Sequence, residues 1–166
     1  VTLLYGILEE QDMITRAVRV HNSGDNPVTL TRVMSLCLDF PTGKKDYITL
    51  GGAYAREREP VRAALTQGVH SAGSVRGSSS HQQNPFLVLC DRDTTEDAGR
   101  CWAMALVYSG NFLASAEHTQ FHETRLTLGI HPFHFAWTLR PGETFTAPEA
   151  ALVFSARGLG HMSRLF

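Results

Sequence analysis

His118 and His122 stand four residues apart, the spacing with which two imidazoles on one helical face hold a zinc ion. The residues around them read as strand and turn, where that spacing does not converge, so no metal site is expected. His131 and His134 fall on opposite sides of a strand and fail as a pair for that reason. Asp39, Glu57, Glu117, Glu123 and Glu149 could in principle supply the two carboxyls of glycoside hydrolysis. Nothing in their spacing brings any two together. Gly73-Ser74-Val75-Arg76-Gly77-Ser78 has a superficial likeness to a phosphate loop but lacks the lysine and the strand-to-helix setting. Ser80 and His81 are adjacent, and neighbouring side chains on an extended backbone diverge, so they make no nucleophile and base. A Gly-x-Ser-x-Gly elbow is also absent. On the residues alone the expectation is a β domain with no catalytic residue, no metal and no cofactor.

Polar groups are densest from Ser74 to Phe86, a stretch holding Arg76, Ser80, His81, two glutamines and Asn84. It has neither helical nor strand periodicity. Gly77 permits an unusual backbone angle, and Pro85 pushes Asn84 towards extended geometry. A flexible linker has little use for Arg76, His81 or Asn84. The stretch therefore reads as an ordered polar loop that hydrogen-bonds something, set between two runs of sheet. A plain solvated surface loop is the alternative.

These residues sit in a chain of 166 residues with 43% apolar content, enough for one domain with a real core. Fifteen basic and sixteen acidic residues leave a net charge of −1, which argues against a nucleic-acid binder. No apolar run reaches the roughly 18 residues of a membrane span. Cys37, Cys90 and Cys101 are odd in number and widely spaced. A single Cys90–Cys101 bridge is conceivable, but reduced thiols in a cytoplasmic protein are the expectation. The chain starts inside an apolar run and stops at Arg164-Leu165-Phe166 without a polar tail, which suggests a piece of a longer polypeptide.

The elements that would carry these residues read as strands throughout. Val1–Glu9 and Met13–His21 flank an acidic turn, with Arg16 in phase with the apolar Ile14, Val18 and Val20. Arg16 is either at a polar rim or on a buried carboxylate. Asn22–Pro27 is a turn, Val28–Phe40 one alternating strand, and Tyr47–Tyr54 another, with Gly51-Gly52 marking a bulge or close backbone approach. Arg56-Glu57-Arg58-Glu59 reads as a solvated charged segment, and Leu65–Val69 as a short strand. Phe86–Cys90 and Cys101–Tyr108 are apolar enough to be central strands covered on both faces. Phe112–Glu117, Arg125–Ile130, Phe133–Arg140 and Thr144–Ser155 complete about ten strands, with room for a helix start only after Ala156. The spacing points to an all-β sandwich.

In order along the chain, several stretches resemble family 36 glycoside hydrolases, the α-galactosidases of bacterial and fungal type. They are Asp12–Asn22 (DMITRAVRVHN), Met34–Asp39 (MSLCLD), Leu50–Arg58 (LGGAYARER), Ser74–Phe86 (SVRGSSSHQQNPF), Leu106–Phe112 (LVYSGNF), Gly129-Ile130-His131-Pro132, Pro148-Glu149 and Met162-Ser163-Arg164. The resemblance covers nearly the whole chain. It implies an antiparallel β-supersandwich, like that of galactose mutarotase, forming the later portion of an N-terminal domain. Residues 1–155 would be the sandwich, truncated on its N-terminal side, and 156–166 the start of a linker to a catalytic (β/α)₈ barrel.

The family's nucleophile and acid/base are aspartates of that barrel, and no position here corresponds to either. The resemblance therefore implies a parent that hydrolyses terminal α-1,6-galactosides of melibiose or raffinose type with retention, the fragment itself being inactive. Arg76, Ser80, His81 and Asn84 are the candidates for bracing the barrel, and homo-oligomerisation through this domain is expected. Two alternatives stand beside this reading. One is a free-standing carbohydrate-binding module using Tyr47, Tyr54, Trp102 or Trp137, although Trp102 and Trp137 lie in apolar patterns that suit the core. The other is the same domain of a raffinose synthase or α-N-acetylgalactosaminidase.

Overall fold

The computed structural model describes all residues, 1–166. Strands β1 (Thr2–Leu8) and β2 (Met13–His21) form a hairpin in register from Thr2 opposite Arg19 to Leu8 opposite Met13. The acidic turn between them is a single 3₁₀ turn, Glu9–Gln11, closed by Asp12 in the left-handed region at φ 48°. Arg16 finds no carboxylate. It donates to the Cys37 carbonyl at 2.8 Å and lies over the Tyr5 ring at 5.5 Å. At the Asn22–Pro27 turn the buried Asn22 amide donates to the carbonyls of Asn26 (2.9 Å) and Leu139 (3.0 Å).

The expected strand over Val28–Phe40 is two strands, β3 (Val28–Leu30) and β4 (Met34–Phe40), in different sheets. The cause is visible in the sequence: Arg32 occupies the apolar phase, so the chain leaves one sheet there, and Val33 drops into a small core with Val18 and Ala147. Strands β5 (Lys45–Ala53) and β6 (Arg56–Ala64) follow as a hairpin. The Arg-Glu-Arg-Glu segment is solvated, as expected, and forms the start of β6. It lacks alternation because β6 is the sheet's outermost strand, wet on both faces, and only an edge tolerates Pro60. Gly51-Gly52 is a bulge, as expected, and Gly52 (φ 151°) leaves no room for a Cβ beside the Arg56 carbonyl.

Next come β7 (Gly68–Gly73), β8 (Gln83–Asp91), β9 (Cys101–Leu106), β10 (Phe112–His118) and β11 (Thr124–Ile130). The short strand expected over Leu65–Val69 lies further on, as β7. Of the strand expected over Phe133–Arg140 only β12 (Trp137–Leu139) forms, pairing with β3. Phe133–Phe135 instead turns, with His134 at φ 58° and the Phe135 amide donating to the Pro132 carbonyl at 3.1 Å. The last expected strand splits into β13 (Thr144–Thr146) and β14 (Ala150–Ser155). Both pair with β2, and Pro148, which has no N–H to give the ladder, lies in the break. The chain finishes in a short helix, α1 (Gly158–Ser163).

All pairings between these strands are antiparallel. One sheet runs β1-β2-β14-β9-β8-β5-β6, with β13 beside β2, and a smaller one runs β4-β11-β10-β7. The main core lies between them: Leu87, Leu89, Met104 and Leu106 from the large sheet meet Leu36, Phe112, Leu126 and Leu128 from the small one. The alternate residues Val88, Cys90, Cys101 and Ala103 face the other way, where Met162 of α1 covers them. This two-sided burial explains the continuous apolar runs of β8 and β9.

Cys90 and Cys101 lie opposite each other on β8 and β9, and all three cysteines are free thiols. Burial pushes the Cys90 thiol up, and that of Cys101 to about 11.

Candidate functional site

The polar loop after β7 is ordered, and backbone groups hold it. The Ser74 hydroxyl donates to the Ser78 carbonyl at 2.6 Å. The Ser79 amide reaches the Ser109 carbonyl at 2.7 Å, and the Gly77 amide reaches Asn111 Oδ1 at 2.6 Å. Ser80 and Gln83 exchange amide–carbonyl bonds at 3.3 and 3.2 Å. The Ser109-Gly110-Asn111 turn is therefore the loop's anchor, a role its sequence context did not reveal.

The four candidate interface residues do not converge on one spot. Arg76 and Ser80 line a concavity of about 350 Å³ with Ser74 and Gln83. His81 is exposed at the tip. Asn84 belongs to β8 and opens onto a separate, larger groove of about 590 Å³ on the outer face of the large sheet. That groove is mainly apolar: Ile48, Leu50, Pro60, Phe86, Leu159 and Phe166 are among its lining residues. Phe86 and Phe166 meet edge to face, 5.4 Å between centroids. The Asn84 side-chain nitrogen is buried there without a partner. Sequence reading found Asn84 and missed the groove. Its signals were the terminal Leu165-Phe166 and the apolar Phe86 beside Pro85.

A charged network fixes the loop from Arg92 to Arg100 against the sheet. Lys45, itself buried, pairs with Asp91, which also accepts from Arg100 at 2.7 Å. Arg62 donates to Asp46 at 2.8 Å and to the Thr94 carbonyl at 2.7 Å. Burial pushes the Asp91 carboxyl up, but the bonds from Lys45 and Arg100 outweigh it and hold it below its ordinary range. This loop in turn grips α1: the amides of Gly158, Leu159 and Gly160 donate to the carbonyls of Gly99 (3.0 Å), Thr95 (3.0 Å) and Glu96 (2.9 Å).

The residues with catalytic types are dispersed or engaged. Asp39 is clasped by Arg125, which strongly favours its ionised form and lowers its pKa. Glu149 accepts from Thr15 at 2.8 Å, and Glu57 lies on the exposed edge strand. Glu117 sits across Arg125 on β10, on the side away from Asp39. None of the larger cavities is lined by two carboxylates. His118 and His122 do come together, contrary to the expectation from strand geometry. The turn between β10 and β11 folds His122 back in the left-handed region (φ 64°), and the rings lie 5.8 Å apart. No third His, Cys, Asp or Glu joins them. Trp137, expected in the core, is 51% exposed, its ring lying 5.3 Å from that of Phe145. Trp102 is half-buried, meeting the Phe40 ring edge to face and the Phe154 ring at a tilt.

A family model described as the glycosyl hydrolase family 36 N-terminal domain matches residues 1–140. The bifunctional α-galactosidase/sucrose kinase AgaSK of Mediterraneibacter gnavus is 47% identical over 166 residues, which is 100% of this chain and 18% of that protein. α-Galactosidase AgaA of Geobacillus stearothermophilus is 46% identical over 166 residues, 100% of this chain and 23% of its own length. The crystal structure of AgaA in complex with stachyose covers 98% of this chain and 23% of that one, with a TM-score of 0.96 and 45% identity. The chain thus spans less than a quarter of the length of these relatives.

Proposed function

Because this chain belongs to the glycosyl hydrolase family 36 N-terminal domain family, we propose that it is the non-catalytic part of a retaining α-galactosidase. Its substrates would be terminal α-1,6-galactosides of the melibiose and raffinose type. The observation that carries this reading is the match along the whole chain to α-galactosidases, including AgaA structures in complex with stachyose and with raffinose. The dispersal of the chain's own carboxylates supports it. Retaining hydrolysis needs two carboxyls about 5–5.5 Å apart, and a following barrel would have to supply both.

In this reading residues 1–155 form the sandwich and 156–166 lead into the barrel. Arg76, Ser80, His81 and Asn84 brace that barrel, and the domain supports homo-oligomerisation. The three free thiols suit a cytoplasmic setting, and no helix is long and apolar enough to cross a membrane. The test is raffinose hydrolysis by this chain and by the longer polypeptide containing it. Galactose release is expected only from the longer one; release by the 166-residue chain would overturn the assignment.

The exposed Trp137 favours a second reading, a carbohydrate-binding module. It opens onto a cavity of about 520 Å³ shared with Arg140, Glu143 and Thr144. Calorimetry with raffinose decides: saturable binding that Trp137→Ala abolishes would support the module.

A further inference from the structure

The central strands β8 and β9 of the large sheet are dry on their inner face and only partly covered on the outer one. Leu159, Met162 and Leu165 cap Val88, Cys90, Cys101 and Ala103. Beside that cap the groove around Leu50, Pro60, Phe86 and Phe166 stays open, with nine hydrophobic residues among its fifteen. An open apolar groove next to the main strands is costly to leave in water. At its wall the Asn84 amide nitrogen is buried and unpartnered, a donor desolvated for an acceptor this chain does not provide. Arg58, at φ 59°, and Glu96 also line it, giving one charge of each sign.

We infer that this groove is the seat for the catalytic part that follows α1 in the longer relatives, with the Asn84 amide nitrogen donating to that part. The inference rests on the function proposed above. Three observations choose this occupant. The relatives are more than four times as long as this chain, which matches their N-terminal domain. Helix α1 and Phe166 themselves line the groove, so a polypeptide continuing from them departs at its edge and is held at high effective concentration. The lining asks for apolar side chains and an oxygen acceptor at Asn84. A sugar would need an open aromatic face and several polar partners, whereas Phe86 and Phe166 turn an edge and a face to each other. The tip formed by Arg76 and His81 is the weaker seat, since both side chains are exposed and the loop's bonds run through its backbone.

The test compares the 166-residue chain with the longer polypeptide. In a Cys37→Ser background, Pro60→Cys and Ser163→Cys place thiols on exposed positions of the groove, and Val69→Cys places one on the small sheet as a control. Maleimide labelling at 60 and 163 should slow by about tenfold or more in the longer polypeptide, with no change at 69. Equal rates at 60 and 163 in the two molecules would overturn the seat. Asn84→Ala gives a second readout. It should raise the melting temperature of the chain alone, by removing an orphan donor, and lower that of the longer polypeptide. A shift of the same sign in both would remove Asn84 from the interface. Loss of raffinose hydrolysis by the unaltered longer polypeptide would count against the function, while labelling would still report on the seat.

Discussion

Arg125 clasps Asp39 with two hydrogen bonds, Nε to Oδ1 at 2.7 Å and a terminal nitrogen to Oδ2 at 2.8 Å, across the neighbouring strands β11 and β4. The arrangement is the planar, two-pronged geometry for which a guanidinium is suited. It also takes Asp39 out of consideration as an acid or a nucleophile. A carboxylate held ionised by its partner is a poor proton donor and a shielded attacker.

The same clasp sets a pH dependence. Asp39 and Asp91 both titrate below the ordinary value of 3.8 in the folded chain. Their contribution to stability is complete above the unfolded value and is lost as pH falls through the lower, folded one. Urea midpoints should therefore hold near neutrality and fall below about pH 4. In Asp91→Asn that acid-side fall should be shallower. An unchanged slope in that variant would show that the Lys45–Asp91–Arg100 cluster does not govern acid unfolding.

Thiol reactivity should be split between one surface and two interior groups. Cys37 is exposed, whereas Cys90 and Cys101 are fully buried and burial pushes both thiols up. A disulfide reagent should titrate one thiol promptly in native buffer and all three in guanidinium. Two prompt thiols in the native chain would mean that the sheet opens at β8 and β9.

Gly52→Ala should destabilise the chain by more than about 1 kcal/mol, because a Cβ is disfavoured at φ 151° and would strike the Arg56 carbonyl. Gly77→Ala, whose site is open, should cost less despite its φ of 89°. Thermal melts of both variants check the order. A Gly52→Ala melt at the wild-type temperature would mean the bulge relaxes freely.

How much of this was legible beforehand depends on which force set each element. The hairpin β1–β2, the central β8 and β9 and the Gly51-Gly52 bulge follow from alternation, apolar continuity and glycine, all local signals. Strand β6 was not legible because its order comes from backbone pairing to β5, and a wet edge leaves no hydrophobic period. Phe133, Phe135, Trp137 and Leu139 alternate as a strand should, yet Pro132 and the left-handed His134 bend the first half into a turn. Trp137 is consequently left at the surface. At the candidate site, the polarity of Ser74–Phe86 announced an ordered loop. It could not announce that Asn84 points into a different concavity, because that depends on α1 folding back beside β8, a contact distant in sequence.

Three successive amides of α1, at Gly158, Leu159 and Gly160, are pinned to the carbonyls of Gly99, Thr95 and Glu96. Those carbonyls belong to a loop that is itself tied to the sheet, by Arg62 of β6 at the Thr94 carbonyl and by Arg100 to Asp91 at the end of β8. Such a joint is a weld and not a swivel. The bearing of α1 on the sandwich is thereby set, and any displacement of the helix would have to begin by tearing these three bonds.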